Sequence, residues 1–170
     1  MDPITELMNE HRIIEMVLDA MEAADDKELP FDFYARAVDF IATFADGCHH
    51  AKEEGELFPL MEAKGILRNG GPLGVMCEEH EIGRGLVALM REGIEKQDRE
   101  TLLRAARDYC ALLRQHIMKE DEVLFPMGRG CISFLEMENL RAHFDQVDHA
   151  ETCHHKYERL GQELLEEATA

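Results

Sequence analysis

Residues 49–59 read HHAKEEGELFP and residues 116–126 read HIMKEDEVLFP, so the chain carries one eleven-residue segment twice, aligned without a gap. Six positions agree: His49 with His116, Lys52 with Lys119, Glu53 with Glu120, and the endings Leu57-Phe58-Pro59 and Leu124-Phe125-Pro126. The repeat preserves a His and a Glu four residues apart, which on a helix puts imidazole and carboxylate on neighbouring turns of one face. Helices packed in a bundle use this spacing to offer a metal two ligands at once.

The flanking pattern is helical throughout. Asp2 before Pro3 is an N-cap with proline at the first helical position, and Ile4, Leu7, Met8, His11, Ile14, Leu18 and Met21 follow at three and four spacing. A second helix is expected from Phe31 to Pro59, with Ala37, Ile41, Ala45, His49 and Glu53 in line, then a loop from Lys64 to Gly71. Pro72 opens a third helix with the stripe Leu73, Met76, His80, Gly83, Val87 and Met90, and a fourth carries Leu102, Ala105, Tyr109, Leu112, His116, Glu120 and Val123 up to a break at Pro126. A fifth segment places Leu140, Phe144, Val147, His154, Tyr157 and Leu164 on one stripe. The fold class is all-α, and the expected domain is a single one over residues 1–170.

Each of the five helices puts a His in its apolar seam. One such His is ordinarily a hydrogen-bonded core residue. Five of them with two carboxylates would cost several kcal/mol without a shared partner. Aligning the Leu-Phe-Pro endings selects His49 and Glu53 over His50 and Glu54, and leaves His50, Glu54 and Asp121 as supporting or surface groups. Lys52 and Lys119 are expected in exposed ion pairs, and His143, His149 and His155 in solvent.

The expected metal ligands are therefore His11, His49, Glu53, His80, His116, Glu120 and His154. Five nitrogens and two carboxylates exceed one tetrahedral zinc and suit two ions. With both carboxylates and one oxygen atom bridging two six-coordinate ions, eleven of twelve positions are filled and one stays open. Imidazole-rich mixed N/O ligation suits iron, with zinc, manganese or cobalt as substitutes.

Charge and cysteine content narrow the partners. Thirty-six acidic against 18 basic side chains leave a formal charge of −18, which repels phosphate backbones and anionic lipid, so no nucleic acid or membrane partner is expected. No apolar run is long enough for a bilayer span and the N-terminus lacks the pattern of a signal peptide, which predicts a cytoplasmic protein. Cys48, Cys77, Cys110, Cys131 and Cys153 form no Cys-x-x-Cys pair, so reduced and mostly buried thiols are expected.

The run from His11 to Glu15, the HHAKEE and HIMKED segments, and Glu78-Glu79-His80 resemble the haemerythrin-like family, the HHE cation-binding domains. The resemblance implies an antiparallel up-and-down four-helix bundle around a non-haem di-iron centre, with His11, His49, Glu53, His80, His116 and Glu120 as ligands. Oxygen-carrying haemerythrins place a second His four residues along the third helix, where this chain has Arg84. Longer microbial relatives end in His-x-Lys-Tyr, which His154-His155-Lys156-Tyr157 resembles, so an additional C-terminal helix is expected to pack on the metal site, with His154 as fifth imidazole and Tyr157 nearby. The function implied is binding of dioxygen or nitric oxide at the open position, for oxygen handling or sensing. The alternatives are an enzyme consuming peroxide or reducing a diatomic, and an iron-binding module without turnover.

Overall fold

A computed structural model describes residues 1–151 and 154–170, with side chains described for 1–148 and 156–170. All described elements are helical. They form α1 (Pro3–Ala24), α2 (31–63), α3 (Pro72–Glu95), α4 (99–131), α5 (Phe134–Glu151) and α6 (His154–Thr169). Asp2 caps α1 by accepting from the Ile4 and Thr5 amides at 3.1 Å each, and Asp98 caps α4 by accepting from the Thr101 amide at 3.1 Å. Residues 64–71 form the expected loop before Pro72.

Two departures from the expected helices have one cause. Pro59 and Pro126 were expected to end their helices, yet α2 continues to Ala63 and α4 to Cys131. Each proline is preceded by a π-helical stretch, Glu53–Leu57 and Glu120–Leu124, in which the Phe58 and Phe125 amides bond five residues back, to the carbonyls of Glu53 and Glu120. The wider π turn relieves the clash between a proline ring and the carbonyl four residues earlier, so the helix passes through. A longer π stretch, Ile41–His50, lies within α2.

Two apolar clusters stack along the bundle. One gathers Ile14, Leu18, Phe33, Phe40, Phe44, Met90, Tyr109 and Leu113, covered by Tyr157 and Leu164 of α6. The other gathers Ile4, Leu7, Leu57, Phe58, Leu73, Met76, Leu124 and Phe125, covered by Leu140 and Phe144 of α5. Of the C-terminal stripe read as one segment, Leu140 and Phe144 thus belong to α5 and Tyr157 and Leu164 to α6, and the two helices bury them in different clusters. Each large side chain sealed from water contributes about 1.5–3 kcal/mol. Between the clusters, α1 to α4 each change from apolar to polar in one layer: Glu10 and His11, then His49, His50, Lys52 and Glu53, then His80, and His116 with Glu120, all buried.

Cys77, Cys110 and Cys131 are free thiols, as expected, whereas Cys48 is disulfide-bonded. Spacing along the sequence gives no sign of a bond created by tertiary packing. No described helix is long and apolar enough to cross a membrane.

Candidate metal centre

The polar layer is built from five imidazoles, each oriented by a carboxylate. His11 Nδ1 donates to Asp121 at 2.6 Å, His49 Nδ1 to Glu10 at 2.9 Å, and His50 Nδ1 to Asp46 at 3.2 Å. His80 Nδ1 donates to Glu54 at 2.6 Å and His116 Nδ1 to Glu79 at 2.8 Å. A carboxylate on Nδ1 keeps the proton there and leaves the Nε2 lone pair facing inward, the arrangement that metal-ligating histidines use. Every one of these carboxylates also meets a cation: Arg12 beside Asp121, Lys52 beside Glu10, Arg84 beside both Asp46 and Glu54, and Lys119 beside Glu79.

Glu53 and Glu120 sit in the middle. Glu53 Oε1 lies 3.3 Å from His49 Nε2 and its Oε2 lies 3.4 Å from His80 Nε2. Glu120 Oε2 lies 3.2 Å from His11 Nε2 and its Oε1 lies 3.2 Å from His116 Nε2. Each carboxylate therefore faces imidazoles of two different helices with its two oxygens. The donors fall into two sets that share Glu53: His50, Glu53, His80 and His116, and His11, His49, Glu53 and Glu120.

These groups are complementary to cations rather than to each other. Among the described residues, both oxygens of Glu53, both of Glu120, and Nε2 of His11, His49 and His50 are sealed from solvent without a hydrogen-bond partner. The 3.2–3.4 Å separations are close enough for ion pairing but the groups are not aligned for hydrogen bonding. Each such orphan costs about 1–3 kcal/mol unless something satisfies it. His80 Nε2 and His116 Nε2 are 3.0 Å apart, both with a carboxylate on the opposite nitrogen. Two nitrogens about 2.1 Å from one ion and at right angles lie about 3.0 Å from each other, so this pair fits a shared metal.

Electrostatics in the metal-free layer follow from the same contacts. Burial pushes the His49 imidazole down, but Glu53 and Glu10 outweigh it and raise it to about 10. His116 is raised to about 10 in the same way, burial opposing and Glu120 and Glu79 prevailing. Glu120, despite burial and the nearby Glu53 charge, is held down to about 2 by His116 and His11. His50 goes the other way, lowered well below the usual histidine range by burial and by His80, whose ring stacks on it at 3.8 Å.

The structure brings together six of the seven expected residues: His11, His49, Glu53, His80, His116 and Glu120. His154 has its side chain outside the described residues. The residue missed is His50, expected beside the site or at the surface and instead 5% exposed with its ring against His80. It follows His49 in a π stretch, where more residues make up a turn and consecutive side chains diverge less than in an α-helix, so both imidazoles face inward.

Lys52 is a second correction. Its side chain is fully buried, with Nζ 2.6 Å from Glu10, 2.8 Å from Glu6 and 2.7 Å from Asp148. It is the counter-charge of the carboxylate that orients His49. Lys119 is partly exposed and pairs with Glu79. His143 is exposed, as expected, with Nδ1 2.8 Å from Glu56. Tyr157 packs against Phe40 and Phe44.

Beside the set containing His50, a cavity of about 110 Å³ is lined by His50, His80 and His116 on one side and by Ile41, Gly83, Val87, Tyr109 and Leu113 on the other. A Cβ at Gly83 would meet Tyr109 at 3.6 Å, an ordinary contact, so close packing does not require glycine there.

A buried layer of imidazoles and carboxylates drawn from four helices defines a cation-binding helical bundle. The chain belongs to the family described as the Hemerythrin HHE cation binding domain, whose profile matches residues 2–128. That span contains all the converging donors and His50, and excludes α5 and α6. The chain is also similar to uncharacterized proteins of Mycobacterium tuberculosis and Mycobacterium bovis, 24% identical over 161 residues, with 86% of this chain covered. It spans 62% of the length of those relatives. No solved structure matches it significantly.

Proposed function

We propose that the chain holds two iron ions and binds a small diatomic molecule, dioxygen or nitric oxide, at one of them. One ion would be held by His50, His80 and His116, the other by His11 and His49, with Glu53 and Glu120 as the carboxylates between them. The observation that carries this reading is the pair of fully buried carboxylates, each facing imidazoles from two helices and lacking a hydrogen-bond partner among the described residues. Five imidazoles and two carboxylates would leave room for a small ligand, as in the count made with His154, and the room would lie at the ion held by two imidazoles. Bound iron supplies reversible one-electron chemistry and an acceptor site for a diatomic. The protein contributes donor orientation through the five outer carboxylates and exclusion of water through the apolar clusters on either side. Two irons per chain by elemental analysis, and a visible band that appears when the reduced protein meets oxygen or nitric oxide and persists without turnover, are the expected results. Steady loss of added peroxide would favour an enzyme instead, and neither response would favour an iron-binding module.

His50 as the fifth imidazole has its own test. His50→Ala is expected to weaken one of the two ions by more than the roughly 10- to 100-fold typical of losing an outer partner. His154→Ala is expected to leave both ions bound. The reverse outcome in a metal titration would return the fifth position to the C-terminal helix.

A further inference from the structure

Among the carboxylates that orient the five imidazoles, Asp121, Glu10 and Glu79 have separate cations in Arg12, Lys52 and Lys119. Asp46 and Glu54 share Arg84. Its Nε lies 2.9 and 3.1 Å from the two oxygens of Asp46, and its Nη2 lies 3.0 Å from Glu54 Oε1, while Nη1 donates to Glu81. Asp46 and Glu54 belong to different turns of α2, and the rings they hold come from two helices, His50 from α2 and His80 from α3. Those rings lie nearly parallel, 3.8 Å apart at 18°.

Two stacked imidazoles with both Nε2 atoms directed inward need both outer edges fixed, since a tilt of either ring would move its lone pair off the shared point. A guanidinium presents its donors as a rigid planar fork, which can hold two carboxylates in one relative geometry; an ammonium is a single compact charge. We propose that Arg84 is the positioning residue of the three-imidazole half of the centre. Through Asp46 and Glu54 it locks His50 and His80 together and sets the affinity of that half for its ion without touching the ion. The inference rests on the two-ion reading and adds that the two halves are supported separately. Arg84 is one-third exposed and lines the cavity, so its replacement removes the fork without opening an apolar core.

The test is a cobalt(II) titration followed by visible absorption, with wild type, Arg84→Ala, Arg84→Lys, and the pair Asp46→Asn with Glu54→Gln in the presence and absence of Arg84→Ala. Both Arg84 variants should bind one cobalt ion about 10- to 100-fold more weakly and leave the other unchanged, with altered band intensity only from the weakened site. In the background lacking both carboxylate charges, Arg84→Ala should have no further effect, because residues acting through one another are non-additive. Wild-type affinity in Arg84→Lys would show that charge alone suffices and would overturn the inference. So would equal weakening of both ions, or an undiminished effect of Arg84→Ala without the two carboxylates. Fewer than two cobalt ions in the wild type would instead defeat the two-ion reading, a failure visible before any variant is compared.

Discussion

Glu53→Ala and Glu120→Ala are each expected to reduce the metal content from two ions per chain to one or none, the largest loss any single substitution should cause. Glu53 belongs to both donor sets, and the two oxygens of Glu120 face His11 of one set and His116 of the other, so on the two-ion reading removing either carboxylate takes a ligand from both ions together. In the metal-free protein the same changes take one of two carboxylates from each buried imidazole: His49 loses Glu53 and keeps Glu10, His116 loses Glu120 and keeps Glu79, and His11 loses Glu120 and keeps Asp121. Breaking one side of a buried pair is destabilising, by less than the roughly 3–5 kcal/mol of a fully uncompensated charge because the second carboxylate stays in place, so both variants should also melt earlier without metal. Glu53→Gln separates the two effects. It keeps the side-chain volume and one oxygen but removes the charge, so the core stays filled while metal is lost. Elemental analysis of the purified variants, with thermal unfolding in chelator, measures both quantities. Two ions retained in Glu53→Ala would show that the carboxylate is not a shared ligand.

The doubled segment made most of this centre legible before any coordinates. Identity at His49/His116 and Glu53/Glu120, combined with apolar stripes of helical period, predicts which faces meet, and those residues do converge. What stayed hidden depends on departures from ideal helix geometry. Reading α2 with 3.6 residues per turn puts His49 inward and His50 aside, while the π stretch Ile41–His50 turns both into the layer. The same wide turns carry α2 and α4 through Pro59 and Pro126, where local rules predict a stop. Lys52 was misjudged for another reason. Its partners Glu6, Glu10 and Asp148 lie on α1 and α5, so only tertiary packing reveals that it is buried and neutralised. Arg84 likewise looked like a lost ligand position, and its two carboxylates give it a place that spacing alone does not suggest.

Metal binding near neutral pH is expected to release at least two protons for each pair of ions, because His49 and His116 must lose theirs before Nε2 can act as a donor, and His11 and His80, also raised against burial by their carboxylate neighbours, add to the count. His49 and His116 are raised from 6.5 to about 10 in the metal-free protein, after their carboxylate neighbours overcome the opposing effect of burial. The sign follows from linkage. A raised folded-state pKa means that the stability these pairs give the metal-free fold is fully present below about 6.5 and is lost as pH rises through about 10. Metal competes with those protons, so its apparent affinity climbs from neutral pH until about 10 and then levels off. The stabilisation conferred by metal grows over the same interval. His50 supplies the internal control. Burial and its neighbour His80 keep it neutral, so His50→Ala should weaken an ion yet leave the count of released protons unchanged. Calorimetric titration with cobalt in buffers of different ionisation enthalpy gives the proton count directly. A count near zero in the wild type would mean that the imidazoles are already neutral before metal arrives, and that Glu53 and Glu120 do not hold them charged.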